Sequence, residues 1–271
     1  MTRARNSSCA VVILTLNEEN DIVAAIESVD GWADEVVIVD SGSEDATVER
    51  ARAKGARVVR NEQDGPFRIT DQRNWALTTI PFDSPWVLFL DADERATPEF
   101  LEAVQLAVQD ESRDGFFAAP RFIYQGTWLR RYSGFPNWHP RLARVGACRF
   151  VGGVWEQFEP GTKAGHIAEP YVHIVDSKGL ADWVVKHLRY AEWEAGLRRA
   201  ENFERRNGLR KFARRLGSMR PIAALGYHLV LRGGILDGGS VWSYARRQLI
   251  YELLIAESRR ERLRRDSGLP L

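Results

Sequence analysis

Through the first ninety positions, apolar residues arrive in short unbroken runs rather than in alternation. Ala10-Val11-Val12-Ile13-Leu14-Thr15-Leu16, Val36-Val37-Ile38-Val39-Asp40 and Trp86-Val87-Leu88-Phe89-Leu90 read as strands covered on both faces, as in a parallel sheet. Arg57-Val58-Val59 reads as a shorter third strand. The intervals predict helices: one capped by Asn17 and running to about Val29, one after Ser41-Gly42-Ser43 carrying Ala46, Ala51 and Ala53, and one over 70–79. Strand, helix, strand, helix at this spacing predicts a parallel sheet with right-handed crossovers. From Gly115 the pattern breaks into short β-like runs (116–118, 121–124, 141–145) separated by Gly, Pro and Asn, with Trp128, Tyr132, Phe135 and Trp138 clustered among them. After His173, apolar residues three or four apart (Leu180, Val184, Leu188, Ala191, Ala195; then Ala245, Leu249, Leu253, Ala256) predict amphipathic helices.

Composition narrows the class. The chain has 271 residues, a net charge of +1 and an ordinary apolar fraction, so a general affinity for nucleic acid is not expected. The charge is uneven. Arg198, Arg199, Arg205, Arg206, Arg210, Lys211, Arg214 and Arg215 fall together, and the tail over 259–265 is also basic. Such runs are solvated helix faces or they meet an anionic surface. Cys9 and Cys148 show neither metal-ligand spacing nor a disulfide framework and read as buried free thiols in a reducing compartment. No secretory leader pattern opens the sequence, and the apolar stretch 221–236 is shorter than the ~20 residues that span a bilayer. A cytoplasmic protein is expected, peripheral to the membrane if the basic regions engage it.

The chemistry concentrates where strands end. The run Val87-Leu88-Phe89-Leu90 leads into Asp91-Ala92-Asp93-Glu94, and alternation along an extended chain would aim Asp91 and Asp93 to one side. Two carboxylates at a strand's carboxyl end suit a hard divalent cation and its phosphates. An acidic turn before a helix capped by Thr97 is the plainer alternative. The first strand ends in Asn17-Glu18-Glu19 and the second in Asp40-Ser41-Gly42-Ser43-Glu44-Asp45, so acidic residues mark three strand ends that should share one crevice.

These motifs together resemble glycosyltransferase family 2. The carriers are Leu-Asn-Glu-Glu after the first strand, Val-Asp-Ser-Gly-Ser-x-Asp-x-Thr over 39–47, Arg73-Asn74 and Asp-Ala-Asp-Glu over 91–94. The resemblance implies the GT-A nucleotide-diphosphosugar transferase fold, a Rossmann-like, mostly parallel sheet flanked by helices with a C-terminal helical extension. It implies a nucleotide-sugar half over 9–110, an acceptor half over 111–178 (together the catalytic domain 1–178) and a helical extension over 179–271. Arg141-Leu142, Glu156, His173 and the Gly233–Gly238 segment are similar to the branch of lipopolysaccharide inner-core β-1,4-glucosyltransferases.

The roles follow as implications. Asp40 would meet the base, Ser41 would belong to the same nucleotide-sugar site, Asn17 and Glu18 would flank the nucleoside, and Asp91 would face the ribose or a metal-bound water. Asp93 would ligate Mg²⁺ or Mn²⁺ on the diphosphate, whose developing charge needs neutralising. Arg73 would offer its planar fork to the diphosphate; a surface ion pair with Asp71 is the alternative. Inverting transfer needs a general base, and the candidate is Glu156 in Val151-Gly152-Gly153-Val154-Trp155-Glu156, with Glu159 competing. The branch carries His-Glu where this chain has Trp155-Glu156. His173 is read as a second metal ligand or as a packed histidine. The aromatic group at 128–138 lines an acceptor site or is ordinary packing. Segments 210–216 and 221–236 either pack on the catalytic domain or dock an anionic membrane, with Leu225, Tyr227, Leu229 and Leu231 buried in it.

The expected activity is an inverting, metal-dependent hexosyl transfer. The donor is a nucleotide-diphosphate sugar, UDP-glucose foremost, and the acceptor a lipid-linked or cell-envelope saccharide. A polyprenyl-phosphate sugar transferase and a non-enzymatic nucleotide-binding scaffold at the membrane are the alternatives. A nucleotidyltransferase would need a Gly-rich basic loop where Leu16-Asn17-Glu18-Glu19 stands.

Overall fold

The computed structural model describes residues 9–64, 67–153, 155–196 and 220–270. Val154 and the basic run from Arg198 to Arg215 lie outside the described residues. Two compact units are present: one takes in Met1–Phe122 and Pro136–Ser177, the other Ile123–Phe135 and Lys178–Leu271.

The first unit is built on a seven-stranded sheet. Its strands are β1 (Cys9–Thr15), β2 (Val36–Asp40), β3 (Arg57–Arg60), β4 (Trp86–Asp91), β6 (Gly115–Ala118), β9 (His139–Arg144) and β12 (Ala164–His166), in the order β12-β6-β9-β4-β1-β2-β3. β9 alone runs against the others, pairing antiparallel with both β4 and β6. The unbroken apolar runs have their physical reason here, because β1 is buried along all seven residues. Its odd positions Val11 and Ile13 share one core with Ile38, Leu88 and Leu90, covered by Ile22 and Ala25 of α1 (Ile22–Glu27) and Phe100 and Val104 of α4 (Pro98–Ala107). Its even positions Ala10, Val12 and Leu14 share the opposite core with Val37, Val39 and Phe89, covered by Ala76 and Leu77 of α3 (Ile69–Thr79). Thr97 accepts a hydrogen bond from the backbone N–H of Phe100 and Pro98 opens α4, a cap that fixes where that helix starts.

Two local expectations change. Asn17 does not cap α1, which starts at Ile22 after Asp21; it adopts a left-handed φ of 54° and bridges loops instead. β4 also stops at Asp91, so Ala92-Asp93 is a turn into β5 (Glu94–Arg95), and strand alternation is not what aims Asp93. β5 pairs antiparallel with β13 (Tyr171–Ile174), which sets His173 opposite Glu94.

In the second unit, Ile123 and Tyr124 of β7 (Pro120–Tyr124) form a hairpin with β8 (Thr127–Trp128), followed by the single turn α5 (Arg130–Ser133). α6 (Leu180–Gly196) packs along the 27-residue helix Ser240–Asp266. The chain division expected at 178 therefore needs one change, because 123–135 belongs with the helices. The contacts are specific: Tyr124 Oη lies 3.0 Å from Ser243 Oγ, and Thr127 Oγ1 donates to Ser240 Oγ at 3.1 Å. No described helix is long and apolar enough to cross a membrane.

Candidate active site

The sheet register brings three strand ends into one row. Thr15 of β1 faces Asp40 of β2, and Leu14 faces Asp91 of β4. This is the carboxyl edge where ligands bind in open α/β sheets.

At the β1 and β2 ends, the polar residues hold each other. Asp40 is buried and its carboxylate accepts the backbone N–H groups of Gly42 (3.1 Å) and Ser43 (3.0 Å) and the Ser43 hydroxyl (2.5 Å). Ser43 Oγ in turn accepts the Asn17 N–H at 2.8 Å, and Asn17 Oδ1 accepts the Glu44 N–H at 2.9 Å. The Glu18 N–H donates to Thr47 Oγ1 at 2.7 Å, and Ser41 Oγ accepts from Gln72 at 2.9 Å. Asp40 is the residue expected to accept from a base edge. Both its oxygens shape the turn after β2, and burial keeps the carboxylate off the surface. Asn17, Glu18 and Ser41 lie at the rim of the same loops.

At the β4 end, charged side chains meet from distant parts of the chain. The Arg73 side chain, 0% exposed on α3, places Nη2 2.9 Å from Asp91 Oδ1 and Nε 2.8 Å from Glu156 Oε2. Its guanidinium lies 5.4 Å from the Phe89 ring centroid and 5.7 Å from that of Phe150. Burial excludes the surface pair with Asp71; of the Arg73 fork, Nη2 and Nε face the two carboxylates while Nη1 makes no hydrogen bond among the described residues. Asn74 works beside it. Its side-chain amide donates to Phe150 O (2.9 Å) and accepts from Phe150 N (2.8 Å), which pins the start of the segment carrying Glu156 to α3.

Two members of this cluster carried no role in the sequence reading. Arg141, buried on β9, sets Nη2 2.9 Å from Glu94 Oε1 and 3.6 Å from Asp91 Oδ2, and Nη1 3.5 Å from Glu156 Oε2. Glu94, fully buried, also accepts the Asp91 backbone N–H at 3.0 Å. A charged residue followed directly by the apolar strand positions Leu142 and Ala143 was the available signal for Arg141. Burial pushes the Glu156 carboxyl above the usual range while Arg73 and then Arg141 pull it back; Glu94 is raised for the same first reason, against Arg141. Glu159, the competing base, is exposed at the end of β11 (Gln157–Phe158) and joins none of these pairs.

Asp93 and His173 meet at the edge of this cluster, with Nε2 3.3 Å from Oδ2 and His173 Nδ1 3.6 Å from Glu94 Oε1. Among the described residues, no group of three or more His, Cys, Asp and Glu forms a closed metal cage. The donor set suits a cation held by one or two protein ligands and completed by phosphate oxygens. The formal charges agree: Asp91, Asp93, Glu94 and Glu156 against Arg73 and Arg141 leave two negative charges, the complement of a divalent ion.

The chain is similar to several known proteins. A Rickettsia bellii protein described as an uncharacterized glycosyltransferase is 34% identical over 118 residues, 44% of this chain and 38% of that protein. Glucosyl-3-phosphoglycerate synthase of Mycobacterium tuberculosis is 51% identical over 61 residues, 21% of this chain and 19% of the relative. The chain thus spans well under half the length of the curated relatives it matches. A crystal structure of that synthase with Mn²⁺, UDP and glucosyl-3-phosphoglycerate aligns at 22% identity and TM-score 0.46, over 69% of this chain and 77% of that one. The family model for glycosyl transferase family 2 matches residues 10–162, more than half of the sequence, and the chain belongs to that family.

Proposed function

We propose that this chain is a metal-dependent, inverting glycosyltransferase that moves a hexose from a nucleotide-diphosphate sugar to a saccharide acceptor. The observation that carries the reading is the buried network Arg73–Glu156–Arg141–Glu94–Asp91 beside the Asp93–His173 pair. A surplus of buried carboxylates gathered on one strand end serves no need of folding, since buried ion pairs are weak sources of stability.

Asp93 and His173 would hold Mg²⁺ or Mn²⁺, which when bound supplies positive charge to the departing diphosphate. Asn17, Glu18 and Ser41 supply the loop rim against which a nucleoside would seat, and Asp40 keeps that rim shaped. Glu156 takes the proton of the acceptor hydroxyl. The hydroxyl oxygen then bonds to the anomeric carbon as the bond to the diphosphate oxygen breaks, giving inversion in one displacement. Burial makes Glu156 a better proton acceptor than a surface carboxylate, while Arg73 and Arg141 oppose that rise and hold the carboxylate in place. Arg73 acts on Glu156 and Asp91, not on the donor.

UDP-glucose is the proposed donor; the similarity to a glucosyl-3-phosphoglycerate synthase supports a glucosyl group. The proposed acceptor is a lipid-linked saccharide of the cell envelope, of the lipopolysaccharide inner-core kind, met at the cytoplasmic face of a membrane. Incubation of the purified chain with labelled UDP-glucose, Mn²⁺ and lipid-linked core saccharide tests this directly. A β-linked labelled glycolipid, absent with Asp93→Ala and with Glu156→Gln, is the expected product. Transfer to 3-phosphoglycerate instead would replace the acceptor, transfer to a polyprenyl phosphate would place the chain in that class, and nucleotide binding without any turnover would leave the scaffold reading.

A further inference from the structure

We infer that the turn over 229–237 in the second unit is a membrane-insertion tip for an anionic lipid surface. The inference deepens the acceptor reading above and rests on it for the choice of a membrane face. The sequence placed Leu229 among lipid-facing residues, whereas it is buried within the protein. The outward set is Val230 (72% exposed), Leu231 (74%), Ile235 (49%) and Leu236 (68%). Four large aliphatic side chains within seven residues are a concentration that a soluble surface does not ordinarily keep.

The tip is held stiffly rather than left to collapse. A π-helical turn (Tyr227–Leu231) leads into Gly233, at a left-handed φ of 71°, and then a 3₁₀ turn (Gly234–Asp237). Asp237 accepts the backbone N–H groups of Arg131 (2.9 Å) and Tyr132 (2.7 Å), and His228 Nδ1 donates to Tyr132 O at 2.9 Å. Gly234 is required at its place, since a Cβ there would lie 2.6 Å from His228 O and 2.8 Å from Tyr132 Cδ2. The two turns are thus bolted to α5, with Leu231 and Leu236 left outside.

The surrounding charge names the partner. Arg232 sits between the apolar pairs and lies across Gly134, the Arg131 side chain packs on Gly233, and Arg130 is exposed beside it. Asp237, the acid within the turn, is turned inward onto α5. Arginines ringing an aliphatic tip match anionic headgroups over hydrocarbon. A stable protein interface takes about 20–30 residues a side, whereas the turn over 229–237 has nine.

The test is co-sedimentation of the full chain with vesicles of phosphatidylcholine alone and of phosphatidylcholine with phosphatidylglycerol, at about 0.1 M salt. Leu231→Asp with Leu236→Asp should lower partitioning at least about tenfold, and Arg130→Gln with Arg232→Gln about tenfold on the anionic vesicles only. Both variants should keep wild-type circular dichroism and Mn²⁺-dependent UDP binding, which shows that they fold. Asp93→Ala should lose UDP binding and keep vesicle binding, so the donor reading and the docking reading fail separately. Unchanged partitioning of the Leu231/Leu236 variant, or equal wild-type partitioning on neutral and anionic vesicles, would overturn the inference. So would a wild-type dimer in solution that this variant dissociates, because the face would then belong to a second copy.

Discussion

Replacement of Arg73 by methionine separates a charge-holding role from a donor-binding one. The methionine retains much of the aliphatic volume between Phe89 and Phe150 but leaves Glu156 with Arg141 alone, at 3.5 Å rather than 2.8 Å, and Asp91 with Arg141 at 3.6 Å. Breaking a buried pair by removing one partner costs about 3–5 kcal/mol, because the remaining charge stays desolvated. Asp91 is partly exposed and water can reach it, so the cost falls mainly on Glu156. Urea unfolding at neutral pH should therefore show a loss near the lower half of that range, a large fraction of the 5–15 kcal/mol that a domain ordinarily has. Glu156→Leu in the same background removes the stranded charge and should recover most of the loss, a coupling that a double-mutant cycle measures. A surface ion pair would change stability by at most about 1 kcal/mol. A loss that small, together with weakened UDP binding, would refute the burial argument and restore Arg73 as a donor contact.

Further consequences are equally measurable. Glu156→Gln should cut sugar transfer by roughly 10²–10⁴ while leaving Mn²⁺-dependent UDP binding intact, as read by initial rates and calorimetry. Glu156 binds its proton more tightly in the folded chain than in the unfolded one, since burial raises it. Its contribution to stability is thus fully present below the ordinary glutamate value and is lost as pH rises through the elevated one. Tm measured across that range should fall, and Glu156→Gln should flatten the slope. Asp40→Ala leaves the Gly42 and Ser43 N–H groups without their acceptor and should cost about 1–3 kcal/mol by urea unfolding, with weaker nucleotide binding as the rim loosens. Gly152 holds φ at 94°, and a Cβ there would lie 2.4 Å from Trp155 O, so Gly152→Ala should disturb the turn before Glu156 and lower transfer more than UDP affinity.

The strand ends were legible because a sheet buried on both faces forces continuous apolar runs, and where such a run stops a polar ligand edge begins. That logic located Asp40 and Asp91 correctly. It did not show what they touch, because the partners of a carboxylate are set by tertiary approach. Arg73 and Glu156 are 83 positions apart, and the docking of α3 on β10 (Phe150–Val151) through Asn74 helps bring them together. Asn17 offered an imperfect helix-cap pattern, and its tertiary hydrogen bonds, one donated to Ser43 Oγ and one accepted from the Glu44 N–H, outweighed that local preference. The 123–135 segment reads like the β-rich stretch around it, and its association with the C-terminal helices rests on scattered hydroxyl, carboxylate–backbone and aromatic contacts that leave no periodic trace. The Gly233–Gly238 segment was visible as punctuation; its inward Asp237 and its outward Ile235 and Leu236 were not.

The central claim is a nucleotide-diphosphate site completed by a divalent ion at Asp93. Calorimetric titration with UDP, GDP, CDP and dTDP, each with Mn²⁺ and with EDTA, tests it on the wild type and on Asp93→Ala. The account predicts binding of UDP that requires Mn²⁺ and disappears in the variant. Binding indifferent to EDTA, or undiminished in Asp93→Ala, would contradict it.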